Sequence, residues 1–574
     1  MKKFIAILLC TLLIFSTFSA CKKAGDANNS NNPDNSTSGD ASPASTSGEG
    51  TGEPKTVDFS EHKEFSYWLF SSPNDFYSDY SDNPGLQYLN EKFNMTLKCQ
   101  QPVSGTEQES LNLMFGTGEY TDMIDVTSYT GSIDKLYEDD VIINIADYLD
   151  YMPNFKKLLD ENEAFRKNIY SDDGKILKLS VLHTRDQLMW GGLVYRYDIL
   201  KTMTGDNVKF PSGNAEPTTI EDWDYMLPLF KQYFEAAGMQ DYAPLIIPAY
   251  GYFPSNDLIS SFGASMTYYM DNGTVKYGPI EDGFYNYLKK MNEWYEAGYI
   301  YKDFASRTTD MFYLPNTSLT YGGAAGIWFG LTSQVGDRMS MPDYGLYVDV
   351  RGLKNPIDAK NGITTAPNRL YSGRFEDVSK VVITSACEDI ERLLTTLDYL
   401  YTEEGSLLKT YGLTKEQGAD RNEIMINNGL EEGSYTLAED GTIIFNSNFT
   451  FMGGNVDNMN NLAAARLPGL ANMDNQKVTY TKEAYDASQL WVAYQKDDNK
   501  LPVGVSRTIE EDQKYTSNQA NIDDYLNSMI LKFIMGTEEL NDSSWEDFKA
   551  QIKAFGVEEN IAINQAAYER YNNR

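Results

Sequence analysis

Apolar residues recur along this chain with two periods. Phe65-Ser-Tyr-Trp-Leu-Phe70 is rich in aromatics and bounded by turn residues, which predicts a strand. A polar loop, Ser71 to Asp82, follows. Gly85 to Phe93 then reads as a helix and Met95 to Gln100 as a second strand. Glu107 to Met114 predicts a helix ending at Gly116-Thr-Gly118, and Met123 to Val126 a short strand. Strand, helix, strand, helix, strand is the order of an α/β domain with a largely parallel sheet. Such sheets bind ligands at the carboxyl ends of their strands. That rule marks the loops after Phe70 and Val126, and hence Asp75, Phe76 and Tyr129.

Further along, helix-start signals take over. Thr219 before Ile-Glu-Asp is a good N-cap, because its hydroxyl can accept an orphan backbone N–H and acids suit the first turn. Ser385 to Glu388 has capping-box spacing before the periodic run Ile390, Leu393, Leu394, Leu397, Leu400. Thr508 to Glu511 and Ser543 to Glu546 have the same spacing. Gly298 and Gly412 fall where helices end in left-handed caps. The carboxyl-terminal third therefore reads as largely helical, with Tyr525, Met529 and Phe533 on one apolar face.

The amino-terminal stretch differs from all of this. Lys2 and Lys3 precede an apolar run from Phe4 to Phe15, and Ser19 and Ala20 stand directly before Cys21. These are the three regions of a signal peptide, expected over residues 1–20. The run is shorter than the ~20 residues of a spanning helix. The cysteine after small residues resembles the bacterial lipobox, which makes Cys21 the expected lipidation site. Residues 21–57 then form a lipidated tether too poor in apolar side chains to order itself. A flexible coil of that length spans on the order of 30 Å. One acyl chain anchors weakly, so stable anchoring implies more than one.

Composition narrows the ligand. The 574 residues carry a formal net charge of −35, which repels nucleic acid and anionic headgroups. The charge argues for a small neutral or cationic ligand without separating the two. The 2 histidines, His62 and His183, are too few for a His-rich metal site. Cys99 and Cys387 make no disulfide framework and are expected as free, buried thiols. The 41 tyrosines are a large stock of flat rings for stacking on a ligand.

Several segments, in order, resemble the family 1 extracellular solute-binding proteins, the receptors of ABC importers related to maltose-binding protein. The first is Leu113-Met-Phe-Gly-Thr-Gly-Glu-Tyr-Thr-Asp-Met-Ile124. Tyr137 to Asp147, Asp173-Gly-Lys-Ile-Leu-Lys-Leu179 and Leu193-Val-Tyr-Arg-Tyr-Asp198 follow. Then come Pro217 to Trp223, Asn292 to Ile300, Tyr401 to Leu407, and Phe533-Ile-Met-Gly536 with Trp545. The last of these resemble the long lipoprotein branch. The resemblance implies a two-lobed α/β fold of the type II periplasmic-binding-protein kind, with a ligand cleft between the lobes. Lobe 1 is expected over 58–188 and 375–430, and lobe 2 over 189–374 and 431–574.

The same resemblance implies a function. The receptor, held on the outer face of the cytoplasmic membrane of a Gram-positive-type cell, captures a carbohydrate, expected to be an oligosaccharide. It closes by hinge motion and delivers its cargo to ABC permease subunits. A monomer without cofactor, metal or nucleic acid is expected. Pyranose rings have apolar faces and polar rims, so a sugar site wants flat amphipathic rings with a few fixed polar groups. Trp328, closing the small-residue strand Gly322 to Gly330, is the foremost candidate. Trp190 stands beside Gly191 and Gly192 at the expected crossing, and Tyr252 lies in the aromatic loop Tyr250 to Pro254. Tyr129 and Asp75 come from lobe 1, and Tyr371 and Arg374 from the return crossing.

Rival chemistries leave little trace. A surface-anchored glycan-active hydrolase needs two carboxyls at a set separation, and 83 acids always allow such a pair to be drawn. No Gly-x-Ser-x-Gly elbow, His-Glu-x-x-His helix or phosphate-binding loop occurs. Glu138-Asp-Asp140 and Asp497-Asp-Asn499 lack the spacing of an EF-hand loop and read as solvated turns. No internal repeat favours an adhesin. A receptor for a peptide or other non-sugar solute stays open.

Overall fold

The computed structural model describes residues 54–574, apart from 72–73, 185–188, 190, 253–254, 307–316, 338–347, 364–379, 451–455, 475–479, 494–498 and 503. The expected signal peptide, Cys21 and the tether up to 53 lie outside the described residues.

Each of two apolar cores is built on a four-stranded sheet. The first sheet has the order β11-β3-β1-β2, from β1 (Lys63–Trp68), β2 (Met95–Gln100), β3 (Met123–Asp125) and β11 (Val381–Ile383). β1 runs parallel to both β2 and β3, and β11 antiparallel to β3. The alternation read from the sequence is thus the parallel part of this sheet. Phe65, Tyr67 and Leu69 face a core completed by Leu393, Leu394, Leu397 and Leu400. Trp68, Ile124, Val126 and Val382 face the other way, onto Leu111 and Leu136.

The second sheet has the order β10-β5-β9-β6, from β5 (Gly191–Arg196), β6 (Ala243–Leu245), β9 (Ala325–Leu331) and β10 (Val350–Gly352). β6 is parallel to β9, and β5 is antiparallel to β9 and β10. Leu193, Tyr195, Ile327 and Phe329 pack in one core with Trp223 and Phe230. Val194, Trp328 and Val350 pack on the opposite face with Ala487 and Trp491. The helices Ile509–Ile534, Asp542–Ala554 and Val557–Asn572 extend the larger core through Ile522, Leu526, Phe533 and Val557. Met529 is buried in that core and Tyr525 packs against it, as their shared face predicts. Two hairpins complete the strands: β7 (Tyr268–Asp271) with β8 (Thr274–Tyr277), and β12 (Tyr435–Leu437) with β13 (Ile443–Phe445).

The lobes exchange chain through three crossings. In the first, β4 (Val181–His183) leaves the first lobe beside β14 (Gly469–Ala471), to which it pairs in parallel. The second runs between Leu353, in the second core, and Val381, in the first. The third follows β14, not residue 430 as expected from the sequence. Tyr435, Ile443, Met459, Leu462, Leu467 and Leu470 are buried in the first core. The β12–β13 hairpin is held there by rings, Tyr411 lying 5.9 Å from Tyr435 and 5.5 Å from Phe445. These described residues of 435–470 therefore pack with the first core rather than the second.

Capping follows chemistry where the hydroxyl is free to turn inward. Thr219 with Asp222, and Thr508 with Glu511, form reciprocal boxes. Gly298 adopts φ +71° just past the helix Asp282–Glu296, and Gly412 φ +86° after Glu403–Tyr411. Two expected boxes are absent. The Ser385 hydroxyl donates to the Asp140 carbonyl at 2.6 Å, and the helix begins later, at Ile390. Asn541 displaces Ser543, because its carboxamide accepts from both Ser543 N and Ser544 N, at 3.0 and 3.1 Å.

Candidate functional site

On the first lobe, the parallel strands run out at Trp68 and Asp125. Register shows what else reaches that edge. Val381 pairs with Asp125, Leu179 bridges to Val381, and Val181 pairs with Gly469. Asp125, Lys380 and the residues just before Gly469 therefore align at the strand ends, beside the crossings.

Asp125 is buried, at 8 % exposure. Its Oδ1 accepts from Thr127 N at 2.9 Å and Thr127 Oγ1 at 2.5 Å. The Thr127 hydroxyl in turn accepts from Lys380 N at 3.0 Å, tying the loop to β11. Burial pushes the Asp125 carboxyl above its ordinary pKa, opposed by the Thr127 bonds and then by the charges of Arg466 and Lys380. The sequence signal for this residue was an acid at the end of an apolar strand with threonine two places on, an Asx-turn pattern. Arg466 carried no local signal; only the fold brings it here.

Asp75 is exposed in the loop after β1. Its neighbour Asn74 accepts from Phe76 N at 2.9 Å and Tyr77 N at 3.2 Å, which tightens that loop. Phe76 is half-buried. Tyr129 is also half-buried, its ring edge-on to Phe115 at 4.9 Å. Gly131 lies under that ring: a Cβ there would fall 2.4 Å from the tyrosine Cζ. Burial raises the Tyr129 phenol pKa, and Asp139 adds to the rise.

On the second lobe, the outcome for the expected rings differs. Trp328 is 1 % exposed and presents no face to a ligand. Its Nε1 donates to Gln334 Oε1 at 3.1 Å, and the same oxygen accepts from Leu331 N at 3.0 Å. The physical reason is that both faces of this sheet are covered, so alternation along β9 sends every ring into one core or the other. Tyr252 is likewise buried, at 2 % exposure, and its hydroxyl donates to the Ile246 carbonyl. The loop after β6 folds this tyrosine back onto the strand it follows. Tyr250, two residues earlier, is the half-buried ring there. Trp190, Tyr371 and Arg374 lie outside the described residues.

The two glycines beside Trp190 are explained by close packing. A Cβ on Gly191 would meet Phe329 at 2.8 Å, and one on Gly192 would meet the Trp491 indole at 2.4 Å. Trp491 Nε1 donates to the Leu193 carbonyl at 3.0 Å, which fastens the helix Lys482–Val492 to the first strand after a crossing.

Cys99 and Cys387 are unbridged, and burial pushes each thiol up to about 12. Among the described residues, no three acid, His or Cys side chains gather as a metal site.

No family model matches the chain. It is 21 % identical over 464 residues to the fructooligosaccharide ABC transporter substrate-binding protein FusA of Streptococcus pneumoniae, covering 75 % of this chain and 76 % of that one. Among solved structures it resembles an HMO-binding, ABC-transporter-associated solute-binding protein from Bifidobacterium longum infantis. The TM-score is 0.70, at 17 % identity over 89 % of this chain and 99 % of that one. The alginate-binding protein AlgQ2 gives a TM-score of 0.65, at 19 % identity over 90 % and 99 %. These structures establish a two-domain fold with the ligand cleft between the lobes. The chain thus shares the two-domain fold of these solute-binding proteins and is similar in sequence to one of them over most of its length.

Proposed function

We propose that the chain is the extracellular receptor of an ABC importer, capturing an oligosaccharide between its lobes and presenting the closed form to the permease. One observation carries the reading: two α/β cores joined by three crossings, in a chain matched over most of its length to a fructooligosaccharide-binding transporter protein. Ligand-driven hinge closure about a shared cleft is what such an arrangement does. The receptor works as a monomer, tethered through lipid on Cys21 to the outer face of the cytoplasmic membrane. It binds without bond cleavage, so it is not an enzyme. The half-buried rings at the strand ends, Phe76, Tyr129 and Tyr250, supply flat apolar contact, with Asp75 exposed among the loop residues.

The test is titration calorimetry and thermal unfolding with kestose, fructo-nystose, a milk oligosaccharide, an alginate oligosaccharide and a short peptide. A binder at about a hundred times its Kd adds ~2.7 kcal/mol of apparent stability. The recovered glycan is expected unchanged by chromatography. Turnover of any glycan, abolished by a single Asp or Glu substitution, would make the protein a hydrolase. Binding of the peptide alone would change the ligand class. A Cys21→Ala variant is expected to lose membrane association.

A further inference from the structure

We propose that a polar cavity on the first lobe, reached from the loop after β1, holds an outer segment of a neutral glycan. This rests on the oligosaccharide-receptor reading and adds a contact region on one lobe alone, with the residues that serve it.

The cavity measures 630 Å³, within the usual range of small-molecule sites. It is walled by the loop after β1, the helix Pro84–Lys92 and the chain from Leu413 to Ile424. The helix and the chain opposite are bonded to each other. Asn422 Nδ2 donates to Gln87 Oε1 at 2.8 Å, and Arg421 Nη2 lies 3.0 Å from Glu91 Oε1. Gly418, at φ +102°, lets the guanidinium lie close on the turn, since a Cβ there would fall 2.9 Å from the Arg421 Cζ. Phe76, from the loop at the strand ends, lines the cavity too, so a chain of sugars lying along that edge can run into it.

The polar groups lining the cavity are unspent. Gln417 is 8 % exposed, and its Oε1 accepts from Thr414 N at 3.0 Å. Its Nε2 has no hydrogen-bond partner among the described residues and is not sealed in, so it opens on the cavity it lines. A donor in that position costs stability unless an acceptor meets it there. Gln87 Nε2 is a second free donor, because Asn422 uses only its Oε1. The Asp82 and Glu423 carboxylates line the same space and enter no ion pair among the described residues. Amide donors beside carboxylate acceptors match hydroxyls, each of which both donates and accepts. The half-buried rings of Phe76 and Tyr88 offer flat apolar surface to a sugar face. An anion would meet Asp82, Glu91 and Glu423 against Arg421 alone, which Glu91 already holds. A cation would leave the Gln417 and Gln87 donors unmet. The ligand segment is therefore neutral and rich in hydroxyls.

The experiment uses the full chain, with Gln417→Leu and Glu423→Ala titrated against fructo-nystose and a neutral milk oligosaccharide. Each variant is expected to lose about tenfold in affinity for whichever glycan the parent binds. Gln417→Leu also takes the acceptor from Thr414 N and should melt at a lower temperature. Glu423→Ala removes an exposed, unpaired side chain and should melt with the parent, which separates binding from folding. Hydrogen exchange of the parent should slow between Leu413 and Ile424 when the glycan is added. Parent affinity in either variant overturns the subsite, and so does exchange in that segment unchanged by a bound glycan. In both cases the receptor reading stands. A parent that binds neither glycan removes that reading and the subsite with it.

Discussion

Arg574 Nη2 lies 2.6 Å from Asp172 Oδ1, joining the C-terminal helix to the loop after Ile169. Arg570 meets the other carboxylate oxygen with its Nε at 2.7 Å. Arg574 Nη1 also reaches the carbonyls of Lys167, Tyr170 and Gly504, at 2.9, 2.6 and 2.7 Å. Asn168 answers by accepting from Gly504 N at 2.8 Å. Arg574 is 4 % exposed at its side chain, so this pair is far better shielded than a surface salt bridge. Asp172→Ala removes the carboxylate that two guanidiniums share, leaving Arg570 with Glu511 and Arg574 with its carbonyls, and is expected to cost about 2 kcal/mol. The reading is the urea midpoint. An unchanged midpoint would mean the clasp contributes nothing to the fold.

The same cluster gives stability an acid limb. Burial alone would raise the Glu511 carboxyl, but the Arg570 hydrogen bond, the Thr508 cap and the Arg570 charge together hold it below the ordinary glutamate value. A lowered folded pKa means the unfolded chain binds the proton more readily. The contribution is therefore complete above the ordinary glutamate range and is lost as pH falls through the lowered value. Glu511→Gln should be less stable than the parent at neutral pH, and the gap should narrow on acidification below about pH 4.5. Melting curves for the two proteins that stay parallel down to pH 3 would remove this group from the acid response.

Trp328→Ala is expected to act on stability rather than on binding. A buried indole removed from a covered sheet face costs about 3–5 kcal/mol, and Gln334 loses the donor that faces its Oε1. Glycan affinity, measured well below the melting temperature, should stay within a factor of about three of the parent, under 1 kcal/mol. A large loss of affinity with an unchanged melting temperature would return Trp328 to the cleft.

Cys99 and Cys387 should resist alkylation in the native protein at pH 8. With both thiols pushed up to about 12 by burial, almost no reactive thiolate is present at that pH. Peptide mass spectrometry is expected to find both residues unmodified until denaturant is added. Rapid labelling of either one under native conditions would show that its shielding opens locally.

Local chemistry was legible in the sequence, and chain-to-chain chemistry was not. Met95–Gln100 and its neighbouring helices could be read because each element's pattern is complete within itself. Thr219 and Thr508 could be read as caps because their partners lie three residues away. Ser385 misled because its hydroxyl is taken by Asp140, far away in sequence. That Tyr435, Ile443 and Leu462 pack in the first core was not legible, because alternating apolar residues do not say which of two cores they fill. Trp328 and Tyr252 misled for a related reason: an aromatic on a strand or its return loop reads alike whether its face is open or covered.

β4 and β14 share a ladder, Val181 to Gly469, Leu182 to Leu470 and His183 to Ala471, and Thr184 N continues it to the Ala471 carbonyl at 3.0 Å. Two of the three crossings thus leave the first lobe as a single ribbon rather than as separate strings. Sliding one strand past the other would break all these bonds together, whereas flexing the pair keeps every one. Any relative motion of the lobes that keeps these bonds must therefore carry the two crossings together, as one pair.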